Sequence, residues 1–278
     1  MPLDDKILII YHSGSGSTRT VGQVFREKLS KLYTVDMVQV GPRPNYQMLS
    51  DYDLLLFGFP TYHARPSTSM MEYVDNMPRA QAPQTAFVFT TCGLYTGNSL
   101  RILIKRLEEK NIMAAGALQI RGPASDGVLL YPSLFSLMFK YEKRAAEKIS
   151  QAVADIGRLL RSHTTRPRIP AYKWYAPIND VVNFFGKRAY HKYRDGLHTL
   201  GDRCTNCNLC VRNCERGCWT EGKGHPSFKP TNCEFCLECV HNCPQQAIVF
   251  SDKLKDAPRL DRAFYRDLTP GLIGTQME

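Results

Sequence analysis

Nine of the ten cysteines in this 278-residue chain fall between Cys204 and Cys243, and eight of those nine form two evenly spaced runs. Cys204, Cys207, Cys210 and Cys214 follow the spacing C-x-x-C-x-x-C-x-x-x-C. Cys233, Cys236, Cys239 and Cys243 repeat it, with Pro244 after the second run. Three thiolates at two-residue intervals wrap three corners of one cuboidal iron-sulfur cluster, and the more distant fourth suits a different cluster. Two runs therefore imply two 4Fe-4S clusters. Structural zinc is the alternative, but zinc sites set two cysteines close together and the other pair well downstream. A disulfide framework fits less well, because the cysteines crowd into one segment and the N-terminus has no secretory pattern.

A second group of residues suits an anion. Ser13, Gly14, Ser15, Gly16, Ser17 and Thr18 follow a short apolar run, KILIIY at 6–11, and precede a helical stripe of Val21, Phe25, Leu29 and Leu32. Strand, Ser/Gly loop and helix together direct amides and hydroxyls at a negative group on a helix N-terminus. The loop has no Walker lysine and no G-x-G-x-x-G, so triphosphate and dinucleotide sites fit poorly. It resembles the flavodoxin pattern of Ser/Thr, any residue, Ser/Thr, Gly, any residue, Thr, filled here by Ser13, Ser15, Gly16 and Thr18. That resemblance implies an FMN phosphate held without a cation.

Those residues must be positioned by an alternation of strands and helices. Apolar runs at 33–40, 53–60, 86–93 and 114–122 join the first as strands, and helical patterns occupy 67–77 and 98–110. The pattern predicts an α/β fold with a doubly wound, five-stranded parallel sheet, the number found in flavodoxins. Ligands in such sheets lie beyond the carboxyl ends of the strands. Two more loops belong there: PTYHARP at 60–66 and TTCGLYTGN at 90–98. By the resemblance, Pro60, Thr61, Tyr62, Thr91, Cys92, Gly93, Tyr95, Gly97 and Asn98 surround the flavin ring, with Tyr62 or Tyr95 stacked on it. Surface or packing tyrosines are the plain alternative. Cys92 ends a buried strand and reads first as a small packing group, with a place beside the flavin as the sharper role. His63 is a candidate proton donor in a loop.

The cysteine runs resemble a bacterial-type two-cluster ferredoxin, in which the ligands cross. Cys204, Cys207, Cys210 and Cys243 then hold one cluster, and Cys233, Cys236, Cys239 and Cys214 the other. One departure stands out: Glu215, not proline, follows Cys214, and Cys218 lies four residues on as a substitute ligand. The matching three-residue gap favours Cys214. Flavodoxin-like and ferredoxin-like parts in one chain resemble the family of flavodoxin–ferredoxin fusions, which implies a redox protein. The expected division is a flavodoxin-like FMN domain at 1–161, a basic aromatic connector at 162–200, a small α+β ferredoxin-like domain at 201–250 and a tail at 251–278.

A helix is expected from about Ser133 to Arg161, with Ala145, Ile149, Ala152 and Ile156 on its apolar face. The apolar stretch 129–139 before it could wall a substrate pocket. In the connector, Val182, Phe185, Ala189 and Tyr193 make a helical stripe. The net charge is +10, from 36 Lys and Arg against 26 Asp and Glu. Nine cations against two acids between Arg158 and Gly201 supply much of it. A nucleic-acid partner is not expected, since no recognition motif accompanies that charge. No apolar run approaches the roughly 18 residues of a membrane span, and a reducing cytoplasm suits the thiols. The reading is electron transfer between two clusters and FMN, to or from a redox protein such as a ferredoxin or oxidoreductase, in anaerobic metabolism. The alternative is a flavin-dependent oxidoreductase acting on a small-molecule acceptor and fed by ferredoxin, not by NAD(P)H. The oligomeric state has no signature.

Overall fold

The computed structural model of the chain describes residues 4–41, 44–130, 140–162, 168–174 and 190–273. Its N-terminal half is built on β1 (Lys6–Tyr11), β2 (Thr34–Gln39), β3 (Leu54–Tyr62), β5 (Gln84–Cys92) and β6 (Ile112–Arg121), all parallel in the order β2-β1-β3-β5-β6. Counted as parallel strands alone this is 2-1-3-4-5, the flavodoxin-like winding. The short β4 (Arg65–Pro66) folds back antiparallel on the end of β3.

Central parallel strands are covered on both faces, which is why their sequences are nearly continuous apolar runs. Successive side chains still divide by the period of two. Ile7 and Ile9, Leu54 and Leu56, and Phe87 and Phe89 pack with α1 (Ser17–Leu29) and α5 (Ala145–Ser162). Leu8 and Ile10, Leu55 and Phe57, and Ala86 and Val88 pack with α2 (Thr68–Asn76) and α3 (Ser99–Glu109). The sheet thus has a helical layer on each side, and the five expected strands are all present.

The helix expected from about Ser133 begins later, at Ala145. Residues 140–144 are bend and turn, because they serve the end of β6. Glu142 N–H donates to the Arg121 carbonyl at 2.9 Å, and the Glu142 carboxylate accepts from Arg121 N–H and from Lys148. The earlier part, 131–139, lies outside the described residues, as do the connector positions Val182, Phe185 and Ala189. A short α4 (Ser125–Leu130) follows β6. Described connector residues strap the exposed edge of the sheet: Arg168 N–H donates to the Ala114 carbonyl at 2.7 Å, and Arg101 reaches the Pro170 carbonyl.

The cysteine-rich module has two small antiparallel pairs, β7 (His198–Thr199) with β10 (Ile248–Val249) and β8 (Trp219–Thr220) with β9 (Ser227–Phe228). Two short helices, α6 (Leu209–Asn213) and α7 (Glu238–His241), each follow a cysteine loop. Its apolar core contains Leu197, Trp219, Phe235, Leu237, Val240 and Phe250. The chain then turns back through α8 (Arg262–Ile273), which lies against α1 and α5. Leu272 joins the sheet core, and Lys28 Nζ donates to the Ile273 carbonyl. The last helix therefore ties the module to the sheet domain.

Candidate functional site

The carboxyl ends of β1, β3 and β5 open on a cleft of about 360 Å³, within the size range of small-ligand sites. Ser13, Gly14, Ser15, Ser17 and Thr18 form one wall, and Pro60, Thr61, Tyr62 and His63 a second. Thr91, Cys92, Gly93 and Tyr95 form a third. Gly16, Gly97 and Asn98 fall outside the lining. Gly16 instead enters α1 at φ 117°, a conformation side chains resist. Asn98 is occupied by the connector, its Oδ1 accepting from Lys173 N–H at 2.9 Å. A fourth wall, absent from the sequence-based set, comes from Pro123, Ala124, Ser125, Asp126 and Gly127.

Hydroxyls in the first wall are buried but partnered. Ser13 Oγ accepts from Arg19 N–H at 3.1 Å, and Thr18 and Thr91 hydroxyls meet at 2.7 Å. Two tyrosines from distant sequence brace the loop from behind. Tyr141 donates its hydroxyl to the Ser17 carbonyl at 2.9 Å, while the Tyr265 hydroxyl of α8 lies 3.4 Å from Ser15 Oγ. The sequence marks 251–278 only as a tail, so neither the helix that carries Tyr265 nor its place beside the loop was legible there.

The two other candidates differ in their surroundings. Burial pushes the Cys92 thiol up to about 11, with Glu142 adding to the shift, so the group is a neutral thiol near pH 7. His63 and Ala64 both have positive φ, 49° and 61°, as a two-residue hairpin turn between β3 and β4 requires. The His63 ring meets Tyr190 edge-on with centroids 4.7 Å apart. Tyr190 in turn contacts Phe235, inside the second cysteine run, at 5.3 Å.

All eight cysteines of the two runs line one internal cavity of the module. The backbone repeats as closely as the spacing does, each position recurring 29 residues later. Asn206 and Phe235 have φ 58° and 55°, Asn208 and Leu237 have 56° and 61°, and Gly217 and Gln246 have 61° and 48°. Amides point at sulfur in the same register. Asn206 N–H donates to Cys204 Sγ at 3.4 Å and Phe235 N–H to Cys233 Sγ at 3.3 Å. Cys218 N–H donates to Cys214 Sγ, and Ala247 N–H to Cys243 Sγ, both at 3.3 Å. Cys218 is thus the positional counterpart of Ala247, and Cys214 that of Cys243. Burial, reinforced by Cys214, pushes the Cys218 thiol up to about 12. Among the described residues, no three Cys, His, Asp or Glu side chains converge on a point suited to a single metal ion. The thiols are instead distributed around the cavity wall.

Cavity and cleft meet at one seam. A β-carbon on Gly14 would stand 2.5 Å from the Cys236 carbonyl oxygen, 2.7 Å from Cys236 Cβ and 2.8 Å from the Tyr62 hydroxyl. Only glycine allows this approach. Beside it, His12 Nε2 lies 3.2 Å from Glu234 and 3.6 Å from Glu215. Glu234 also accepts from Ser69 N–H at 3.2 Å and from Ser69 Oγ at 2.6 Å, near the start of α2. A carboxylate there satisfies an open helix amide and meets the positive end of the helix dipole. Burial, with Glu215 next in effect, raises Glu238 to about 8. Arg216 closes the rim on Glu72, with Nη2 to Oε1 at 3.0 Å. His12 and these carboxylates were not among the sequence candidates. They carry no spacing signal, because their partners lie far away in the chain.

No protein-family model matches the chain, and no curated protein matches it. Among solved structures it is similar to flavodoxin 2 from Bacillus cereus (20% identity, covering 55% of this chain and 98% of that one, TM-score 0.41). It is also similar to a flavodoxin from the domain Archaea (15% identity, 56% and 99% covered, TM-score 0.41). A third is two-electron reduced Megasphaera elsdenii flavodoxin (18% identity, 41% and 84% covered, TM-score 0.38). By its own strand order, the N-terminal part of the chain has a flavodoxin-like α/β fold.

Proposed function

We propose that the chain is an electron-transfer iron-sulfur flavoprotein of the flavodoxin–ferredoxin fusion type, exchanging electrons with a redox partner. The observation that carries this reading is the seam, where the backbone of Cys236 lies against Gly14 of the anion loop. A cysteine cage and a flavin-sized cleft that share a wall suit transfer between them.

The donor set fits iron-sulfur clusters. Burial raises the Cys233 thiol, raises Cys236 and Cys239 strongly, and pushes Cys210 up to about 11. Such thiols ionise only when a cationic core compensates them, as coordinated metal does. Amides aimed at Cys204, Cys214, Cys233 and Cys243 sulfur then disperse thiolate charge. By the repeat, Cys214 and not Cys218 completes the second set. The cleft fits FMN: Ser13, Ser15, Ser17 and Thr18 would hold the phosphate, and Tyr62 and Tyr95 would flank the ring. When bound, the clusters supply one-electron exchange and the flavin accepts one or two electrons.

The chain's own contribution is spacing and water exclusion. His12, Glu234 and Ser69 seal the seam, and α8 locks the module onto the sheet. Tyr95 at the cleft mouth is 37% exposed and Leu94 63%, which leaves an edge open to a partner. The fourth wall favours a second reading, reduction of a small organic acceptor, because Pro123 to Gly127 give the cleft the enclosure a substrate needs. Anaerobic reconstitution tests the main reading. It predicts about eight iron atoms and about one FMN per chain; a product with zinc or without flavin would sink it.

A further inference from the structure

We infer that the outer edge of the first cysteine run, Thr205, Asn206 and Cys207 with Arg212 beside them, is the docking face for an acidic protein that carries electrons singly. The second run is the inward-facing contact toward the cleft. This rests on the proposed cluster and flavin reading and adds to it the order of the two runs.

Two observations support that order. Thr205, Asn206 and Cys207 are exposed. Their counterparts 29 residues later are enclosed: Glu234 is 8% exposed, as is Phe235, and Cys236 packs on Gly14. A protein partner approaching the second run would have to displace the sheet domain, so among the described residues it is the first run that offers a cluster edge to another protein.

Charge supplies the kind of partner. The acids and bases of 201–260 nearly balance in sequence, with eight Lys and Arg against seven Asp and Glu. The fold separates them. Glu215, Glu234 and Glu238 belong to the seam side, and Arg216 pairs there with Glu72. Seven cations against four carboxylates remain for the rest of the module. Arg212 donates to the Cys207 carbonyl at 2.9 Å, and Arg203 and Arg259 both reach the Lys255 carbonyl at 3.2 and 3.4 Å. Beside the first run, Arg203, Arg212, Lys255 and Arg259 stand against Asp256, which pairs with Arg203 at 2.9 Å, and Glu221, which accepts from Asn208 at 3.1 Å. That positive excess steers an acidic carrier and repels a basic one.

The test uses reconstituted holoprotein and a small, acidic, reduced two-cluster ferredoxin as the probe. Lys255→Glu and Arg212→Glu are expected to lower the bimolecular reduction rate at low salt about tenfold each, and to flatten its salt dependence. Arg158→Glu on α5 should leave it within about twofold. Independently of turnover, a dissolved dysprosium chelate should speed the electron-spin relaxation of one reduced cluster much more than that of the other. Cys207→Ser should remove the sensitive signal. Equal sensitivity of both clusters, or unchanged rates in both charge-reversal variants, overturns the docking assignment. Flavin reduction by already reduced clusters is followed in the same samples. If it persists while the docking variants have no effect, the docking face alone falls. If it is absent, the underlying pathway falls and the assignment with it.

Discussion

The two cysteine runs share one backbone and live in opposite surroundings. Both place left-handed residues at the same three positions, yet the first run uses Asn206 and Asn208 where the second uses Phe235 and Leu237. Asparagine tolerates positive φ and faces water comfortably. Phenylalanine and leucine pay about 1–2 kcal/mol each for that conformation. Burial of each side chain returns about 1.5–3 kcal/mol. Phe235 sits between Tyr190 and Phe250, with ring centroids 5.3 and 5.5 Å away, and Leu237 is 1% exposed. The cage geometry thus sets the backbone of both runs, while the module's own apolar core sets the side chains of only one.

The largest expected effect probes the repeat itself. Cys214→Ser should cut reconstituted iron from about eight atoms toward about four per chain, whereas Cys218→Ser should keep nearly all of it. The reverse outcome would make Cys218 the ligand and break the register between the runs. Iron analysis with cluster absorbance checks this.

Gly14→Ala comes next. It drives a methyl group into the Cys236 carbonyl, at an expected cost of about 1–3 kcal/mol from overpacking. Thermal unfolding should show it, together with weakened flavin retention. Gly217 has open space around it, so Gly217→Ala should cost only the roughly 1 kcal/mol of its positive φ. Phe235→Asn should relieve the backbone but lose the aromatic contacts, for a net loss of about 2 kcal/mol. Asn206→Ala, on the exposed run, should cost about 1 kcal/mol or less. Chemical denaturation of the four variants compares the runs directly.

The smallest effect is a pH dependence on the module's far side. The Gly196 carbonyl raises the His198 pKa, with Asp252 adding to the shift, against a partial opposing effect of burial. The folded pKa therefore lies above the unfolded value near 6.5. This contribution is fully present below about pH 6.5 and fades as pH rises through the folded pKa. Asp252→Asn should reduce it by a few tenths of a kcal/mol, as expected for an exposed pair. Stability measured against pH in both proteins reads it out.

Much of the fold was legible because its signals are local. The strands at the sheet centre are apolar runs, the helices carry one-sided stripes, and the cysteine spacing repeats without a gap. The delayed start of α5 was not legible: the seven residues from Ser133 lie outside the described structure, and 140–144 are held by a carbonyl and an amide of β6. Cleft-lining Ser13, Tyr62 and Thr91 follow from loop position, but Gly97 and Asn98 do not line it, because the connector and a neighbouring turn occupy them. The seam was invisible for a physical reason. Gly14 and Cys236, or Ser69 and Glu234, are brought together only by docking of the module, and no periodicity encodes that.

The central claim is that the cysteine cage and the cleft act as one electron path across the Gly14–Cys236 seam. Rapid-mixing absorbance under anaerobic conditions tests it: the clusters are reduced first, and the flavin bands are followed in time. The account predicts bleaching of the flavin at a rate independent of protein concentration, as intramolecular transfer requires. Reduced clusters beside an unchanged flavin, or a flavin rate that rises with protein concentration, would contradict it.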